Sequence, residues 1–265
     1  MDTVVIFTPA PGPSGSAMAA DTSAVYWYAP DSVVESGGVI TSWDDKTSSG
    51  FDLAQVGSIP LPSYNASGYV EFDGTEVIGD STITHASLLK AVLNGGGEAA
   101  IFYVFQGDSS AQAQDTIFNT VIAQEGPASA YGNNQSLQQA YRVNKFGTDN
   151  ALTITNGREF ADAYALYTPS TDQAPLLDTL TLVQVVVDQT TVAGDVNDGT
   201  YTNSATPTVA NFPSGDNGLF LGGACNGTAV ADAYIGRLYE VFATTDTSAG
   251  NVDAIRAELA TIYGI

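Results

Sequence analysis

The stretch VEFDGTE at residues 70–76 sets three carboxylates in the pattern E-x-D-x-x-E: Glu71, Asp73 and Glu76. Paired carboxyls do the work of glycoside hydrolysis, and in a retaining enzyme they stand about 5–5.5 Å apart. An extended strand puts residues two apart on one face, so Glu71 and Asp73 would lie side by side. Glu76 would join them only through a bulge. Two features argue against a catalytic set. Phe72 is the apolar position and would face a core, which turns both neighbouring acids outward. Asp73-Gly74 is a turn signal, so Glu76 begins the next segment. The three acids are expected around a corner, and no catalytic residue is assigned.

Other residues suggest binding. Two acidic loops offer the oxygens that calcium takes about six to eight at a time. One is WDDKTSSGFD, with Asp44, Asp45 and Asp52; the other is GDVNDG, with Asp195, Asn197 and Asp198. The second lacks EF-hand spacing and its closing Glu. Solvated turns are the plain reading of both, with calcium, the one cofactor suggested, beside it. Tyr131 in PASAYGNNQS sits among small polar residues, and with Asn133 and Asn134 it is a candidate contact for a glycan or a protein partner. Tyrosines elsewhere are expected to cover sheets. Arg142, Lys145, Arg158 and Arg237, scarce cations among many acids, are expected to pair with carboxylates.

Several chemistries are excluded. The chain has one cysteine, Cys225, and one histidine, His85. An intramolecular disulfide and the usual zinc ligand sets are therefore ruled out, and nothing joins Cys225 to a base. No G-x-S-x-G occurs, and NGGGE (94–98) lacks the Lys-Ser/Thr of a phosphate loop. With 7 basic against 29 acidic residues, the net charge of −22 opposes nucleic acid and anionic membranes. Such a balance suits a saline setting, where ions screen self-repulsion. No run approaches the roughly 18 apolar residues of a membrane span. The start, MDTVVIFTPAPGPSGS, has no basic region before its short apolar run and does not read as a secretion signal.

The elements that must position these residues are strands. Of the 265 residues, 44% are hydrophobic and only 14% charged, which excludes wholesale disorder. Residues 1–20 read as an N-terminal arm, with VVIF and then PAPGPSGS. Residues 21–265 read as one domain. VYWYA (25–29), VITSW (39–43) and YVEFDG (69–74) come first, then AAIFYVFQG (99–107) as a buried strand. In VITSW, strict alternation would put Val39, Thr41 and Trp43 on one face and Ile40 and Ser42 on the other. TIFNTVIAQ (116–124), AYRVNKFG (140–147), ALTITNG (151–157), EFADAYALY (159–167), TLTLVQVVVDQT (179–190), GLFLGG (218–223) and AYIGRLYEVFA (233–243) continue the pattern. Such a series argues for an all-β, two-sheet antiparallel sandwich. HASLLKAVL (85–93) has helical spacing. Residues 247–265 form a short C-terminal helix, with a stripe of Val252, Ile255, Leu259 and Ile262 and a stop at Gly264.

The order of landmarks resembles the concanavalin A-like, laminin G-like jelly rolls found in many phage and viral particle proteins. VYWYAPDSVVESGGVITSWDDKTSSGFDLAQ is similar to that family's opening, through Trp27, Asp31, Trp43, Asp45, Lys46, Gly50, Leu53 and Gln55. Ser48 stands where the family has the first glycine of a turn. PSYNASGYVEFDGTE matches through Pro62, Tyr64, Val70, Phe72, Asp73 and Gly74. VNDGT (196–200) resembles a later hairpin, and Gly236 and Glu240 fall in the closing F-x-G-x-[IL]-x-E-V. Laminarinase-type hydrolases carry E-x-D-x-x-E on a sandwich strand, but the lead-in usual before it is missing here. The resemblance implies a non-enzymatic structural or adhesive component of a virion, in head decoration or a tail fibre. Its partners would be other virion proteins, copies of itself and a host-surface glycan, without nucleic acid or membrane insertion. A glycan-binding adhesin or lectin module of a marine or halophilic microbe is the alternative.

Overall fold

The computed structural model describes residues 16–80, 95–108, 114–121, 136–142, 151–156, 178–188, 191–197, 203–205, 218–225, 230–231 and 234–265. A short helix α1 (Ala17–Ala20) precedes β1 (Ala24–Tyr28), β2 (Val33–Ser36), β3 (Val39–Trp43), β4 (Ala54–Gln55), β5 (Ser63–Asn65) and β6 (Tyr69–Asp73). Then come β7 (Ile78–Asp80), β8 (Ala99–Gly107), β9 (Gln114–Val121), β10 (Ser136–Arg142), β11 (Ala151–Asn156) and β12 (Thr181–Val187). The last strands are β13 (Val192–Val196), β14 (Asn203–Ala205), β15 (Gly218–Leu221), β16 (Ala224–Cys225), β17 (Val230–Ala231) and β18 (Ile235–Thr244), and helix α2 (Ala249–Tyr263) closes the chain.

The strands form two main antiparallel sheets. The larger runs β14-β13-β12-β8-β18-β6-β5-β3-β2, with β1 also paired to β18. The smaller runs β11-β10-β9-β15-β7-β4. Between them lies a core that includes Tyr26, Tyr28, Trp43, Phe72, Tyr103 and Phe105. This is the expected β-sandwich.

The central strand β8 explains its own sequence. Ile101, Tyr103 and Phe105 face the core between the sheets. Ala100, Phe102 and Val104 face the other way, into a second apolar cluster under α2 with Val252, Ile255, Leu259 and Tyr263. A strand covered on both faces needs apolar residues at both phases of its period, so it reads as a continuous run. Gly264 ends α2 in a left-handed conformation at φ 69°, as its position after the stripe predicts. Tyr263, not Ile262, completes the fully buried stripe.

Two further details depart from the sequence reading. Strict alternation separates Trp43 from Ile40, yet both are fully buried. The register of β2 against β3 shifts between Val34 and Glu35, leaving Thr41 as an extra residue that returns Trp43 to the core side. At the N-terminus, residues 16–20 of the expected arm belong to the body. Met18 is buried, and its N–H donates to Glu258 of α2 at 3.1 Å. The helical patch at 85–93, His85 and the strand at 159–167 lie outside the described residues. Of the strand expected at 140–147, residues 140–142 belong to β10 (Ser136–Arg142), and 143–147 lie outside the described residues.

Candidate functional site

VEFDGTE divides between a turn and a neighbouring strand. Phe72 is buried as expected, and Glu71 and Asp73 lie on the other phase of β6. Asp73 Oδ1 accepts from the Thr75 N–H at 3.1 Å and the Thr75 hydroxyl at 2.8 Å. Glu76 Oε2 reaches back to accept from the Asp73 N–H at 2.7 Å. Two of the three acids therefore close the corner. The contact with Glu76 holds the Asp73 carboxyl below its ordinary range, and burial pushes Glu76 up to about 7.

Glu71 belongs to a different cluster. Its register partner on β18 is Arg237, whose Nε lies 3.5 Å from Glu71 Oε1. The Arg237 guanidinium lies 4.7 Å from the centre of the Tyr69 ring, and Tyr69 packs on Tyr239 with ring centres 5.5 Å apart. Gln106 Oε1 accepts from Arg237 Nη1 at 3.4 Å and from the Tyr239 hydroxyl at 3.2 Å. Gln106 Nε2 in turn donates to the Asp178 carbonyl at 2.7 Å. Asp178 has a left-handed φ of 56°, a conformation that aspartate tolerates better than most residues, and its N–H donates to the Gly107 carbonyl at 2.8 Å. Glu71, Gln106, Asp108, Asp178 and Arg237 from this region are the polar residues that border a shallow depression of about 90 Å³.

Two local features of β18 build this cluster. Gly236, at φ 148°, lets the strands close: a Cβ there would stand 2.4 Å from the Gln106 carbonyl oxygen and 2.5 Å from the Tyr234 hydroxyl. That hydroxyl donates to the Gln106 carbonyl at 2.8 Å. Further along, Leu238 pairs with Phe105 and Glu240 with Val104, so Tyr239 is an inserted residue. This bulge adds Tyr239 to the cluster beneath α2, beside Tyr263.

Glu240 follows the bulge and is 4% exposed. It accepts from the Trp27 indole N–H at 2.6 Å and from the Tyr263 hydroxyl at 2.6 Å. One carboxylate thereby ties β1, β18 and the end of α2. Burial pushes it up to about 7 in spite of both donors. Above the indole, Lys46 Nζ lies 4.3 Å from the ring centre and 2.8 Å from Asp31.

The residues expected as calcium ligands make the following contacts. Asp45 Oδ1 accepts from the Trp27 and Thr47 N–H groups, both at 2.9 Å. Its Oδ2 accepts from the Thr47 hydroxyl at 2.7 Å and the Phe51 N–H at 3.2 Å. Asp52 Oδ1 takes the Asp45 N–H, and Asp44 Oδ1 takes the Ser42 hydroxyl. Asp195 lies 3.6 Å from Arg256, while Asn197 accepts from the Leu182 N–H at 3.0 Å and adopts φ 54°. Among the described residues, no three Asp, Glu, His or Cys side chains gather as a metal site would require. In the 44–52 loop the carboxylate oxygens of Asp44, Asp45 and Asp52 accept hydrogen bonds from protein donors, and calcium there stays an expectation. Asp198, Tyr131, Asn133 and Asn134 lie outside the described residues.

No family model matches the sequence, and no curated protein matches it. Solved structures do. An arabinofuranosidase complexed with arabinofuranosyl-α-1,2-xylobiose aligns at TM-score 0.54 and 13% identity, over 84% of this chain and 51% of the other. Trypanosoma rangeli sialidase in complex with sialic acid aligns at TM-score 0.52 and 11% identity, over 97% of this chain and 37% of the other. The likeness is one of fold. This chain spans about half or less of those solved chains.

The sequence does not disclose the depression as a site. Its parts were legible only as a scarce arginine expected to pair with an acid and a tyrosine in a strand. The one signal was the closing motif containing Gly236 and Glu240, and it does not disclose the bulge between them.

Proposed function

We propose that this chain is a non-catalytic, carbohydrate-binding β-sandwich, and that the depression beside Arg237 is its site. One observation carries the reading. A guanidinium, a carboxylate and an amide, all planar, border a surface hollow, and the guanidinium is fixed in advance by the Tyr69–Tyr239 bed and by Gln106. Sugar rings present hydroxyls that both donate and accept. Planar polar groups held rigid by neighbours match them at little entropic cost. The hollow is far smaller than the roughly 300–1,000 Å³ of an enclosing small-molecule pocket, which suits contact with one edge of a ring. The contacts of the acids support the non-catalytic part: Glu71 is paired with Arg237, and Asp73 and Glu76 are engaged in the corner.

The resemblance of the ordered motifs to jelly rolls of viral particles supplies the setting: a surface component of a phage or virus, assembled with copies of itself and with other particle proteins. A lectin-like module within a longer protein is the second reading. It is favoured by the solved chains, in which the similar stretch is only a part.

A glycan array tests the binding. The full chain should be retained by a defined set of sugars, and Arg237→Ala should lose that retention while melting at a similar temperature. Retention of the variant equal to the parent would remove the site from the proposal. Antibody labelling of purified particles tests the setting, and unlabelled particles would count against it.

A further inference from the structure

Given the saccharide reading above, we infer that the depression discriminates by charge: it accepts uncharged sugar rings and rejects carboxylated and sulfated ones. Recognition of an anionic sugar calls for a guanidinium with a free edge, able to give two parallel hydrogen bonds to the acid group. Arg237 is not free in this sense. Its Nε faces Glu71 at 3.5 Å, its Nη1 faces Gln106 at 3.4 Å, and Tyr69 lies beneath it. The positive charge is already matched by the Glu71 carboxylate, whose side chain is 45% exposed at the rim. A ligand carboxylate would meet that like charge before it gained the arginine.

The rest of the molecule acts in the same direction. The chain carries 29 acidic and 7 basic residues, so an anion approaches against the overall field. Lys46 and Arg256, two of the other cations, are paired away from the hollow with Asp31 and Asp195. For an uncharged ring the same ion pair is well suited. It sets an acceptor, Glu71, beside a donor, Arg237. Two neighbouring sugar hydroxyls complement that arrangement, one donating and the other accepting. The pair that repels an acid therefore reads a diol.

The test uses the full chain and beads carrying matched sugars: galactose against galacturonate, and glucose against glucuronate. Retention of the neutral member should exceed that of its uronate by about tenfold at low salt, since like-charge juxtaposition is a strong discriminator. Higher salt should narrow the gap as the field is screened. Glu71→Gln releases Arg237 and removes the rim charge, so the uronate-to-neutral ratio should rise roughly fivefold, within the range of an exposed charge-assisted contact. A parent protein that prefers the uronate, or a ratio unmoved by Glu71→Gln in a normally melting variant, would overturn the charge rule and leave the saccharide reading standing. Retention of neither member, together with no retained sugar on the glycan array, would overturn both.

Discussion

Asp45 shows how much of a loop one side chain can organise. Its two oxygens accept four hydrogen bonds, three from backbone N–H groups on both sides of the 45–52 loop and in β1. Asp45 is 9% exposed, and removal of its carboxylate leaves those donors without their acceptor. Asp45→Ala should lower the unfolding free energy by about 3 kcal/mol in a urea titration, as loss of several bonds to a charged acceptor implies. The same loss should appear in calcium and in a chelator. A parent protein that a chelator destabilises to the level of the variant would favour the metal reading. Gly236 is the second sensitive residue. A methyl group there has no room between Gln106 and Tyr234, and φ 148° is unfavourable for any other residue. Gly236→Ala should cost about 2–4 kcal/mol, the range of backbone strain combined with overpacking. A melting curve matching the parent would mean that β8 and β18 do not approach so closely.

At the scale of elements, α2 is held in two ways. Its apolar stripe covers Phe102 and Phe242, and its last turn is tied through Tyr263 to Glu240. The carboxyl of Glu240 lies near 7 in the folded protein because burial penalises its charge, against an ordinary value of 4.5. The folded state thus keeps a proton that the unfolded chain gives up. Its contribution to stability is complete below pH 4.5 and fades as the pH rises through about 7. Glu76 acts in the same direction over the same window. Melting temperature should therefore decline from pH 5 towards pH 8, and Glu240→Gln, which keeps an acceptor and removes the charge, should flatten the decline. An unchanged slope in the variant would assign the pH response elsewhere. Trp27→Phe deletes one of the two donors, and the under-satisfied acid should cost about 1–3 kcal/mol.

For the whole molecule, charge dominates the response to solvent. A formal charge of −22 on 265 residues repels itself, and salt screens that repulsion within about 10 Å at 0.1 M. Added sodium chloride should raise the melting temperature by several degrees, with most of the gain at low concentration. A flat response would mean that local pairing already cancels the excess. The sandwich itself was legible from the residues. The continuous run of β8 and the stripe along α2 are imposed by burial, which acts on each residue according to its own polarity. The corner at Asp73-Gly74 was legible for a similar reason, because turn chemistry is local. The hollow beside Arg237 was not. It joins β6, β8 and β18, distant in the chain, and Tyr239 contributes only because a bulge inserts it. Bulges arise from how two strands meet, so neither sequence alone records them; the same cause misled the alternation of VITSW. The role of Asp45 was hidden likewise, since an acid reads the same whether its partner is a cation or an N–H brought there by the fold. Residue order set the layers and their faces, while strand pairing chose which polar groups would meet.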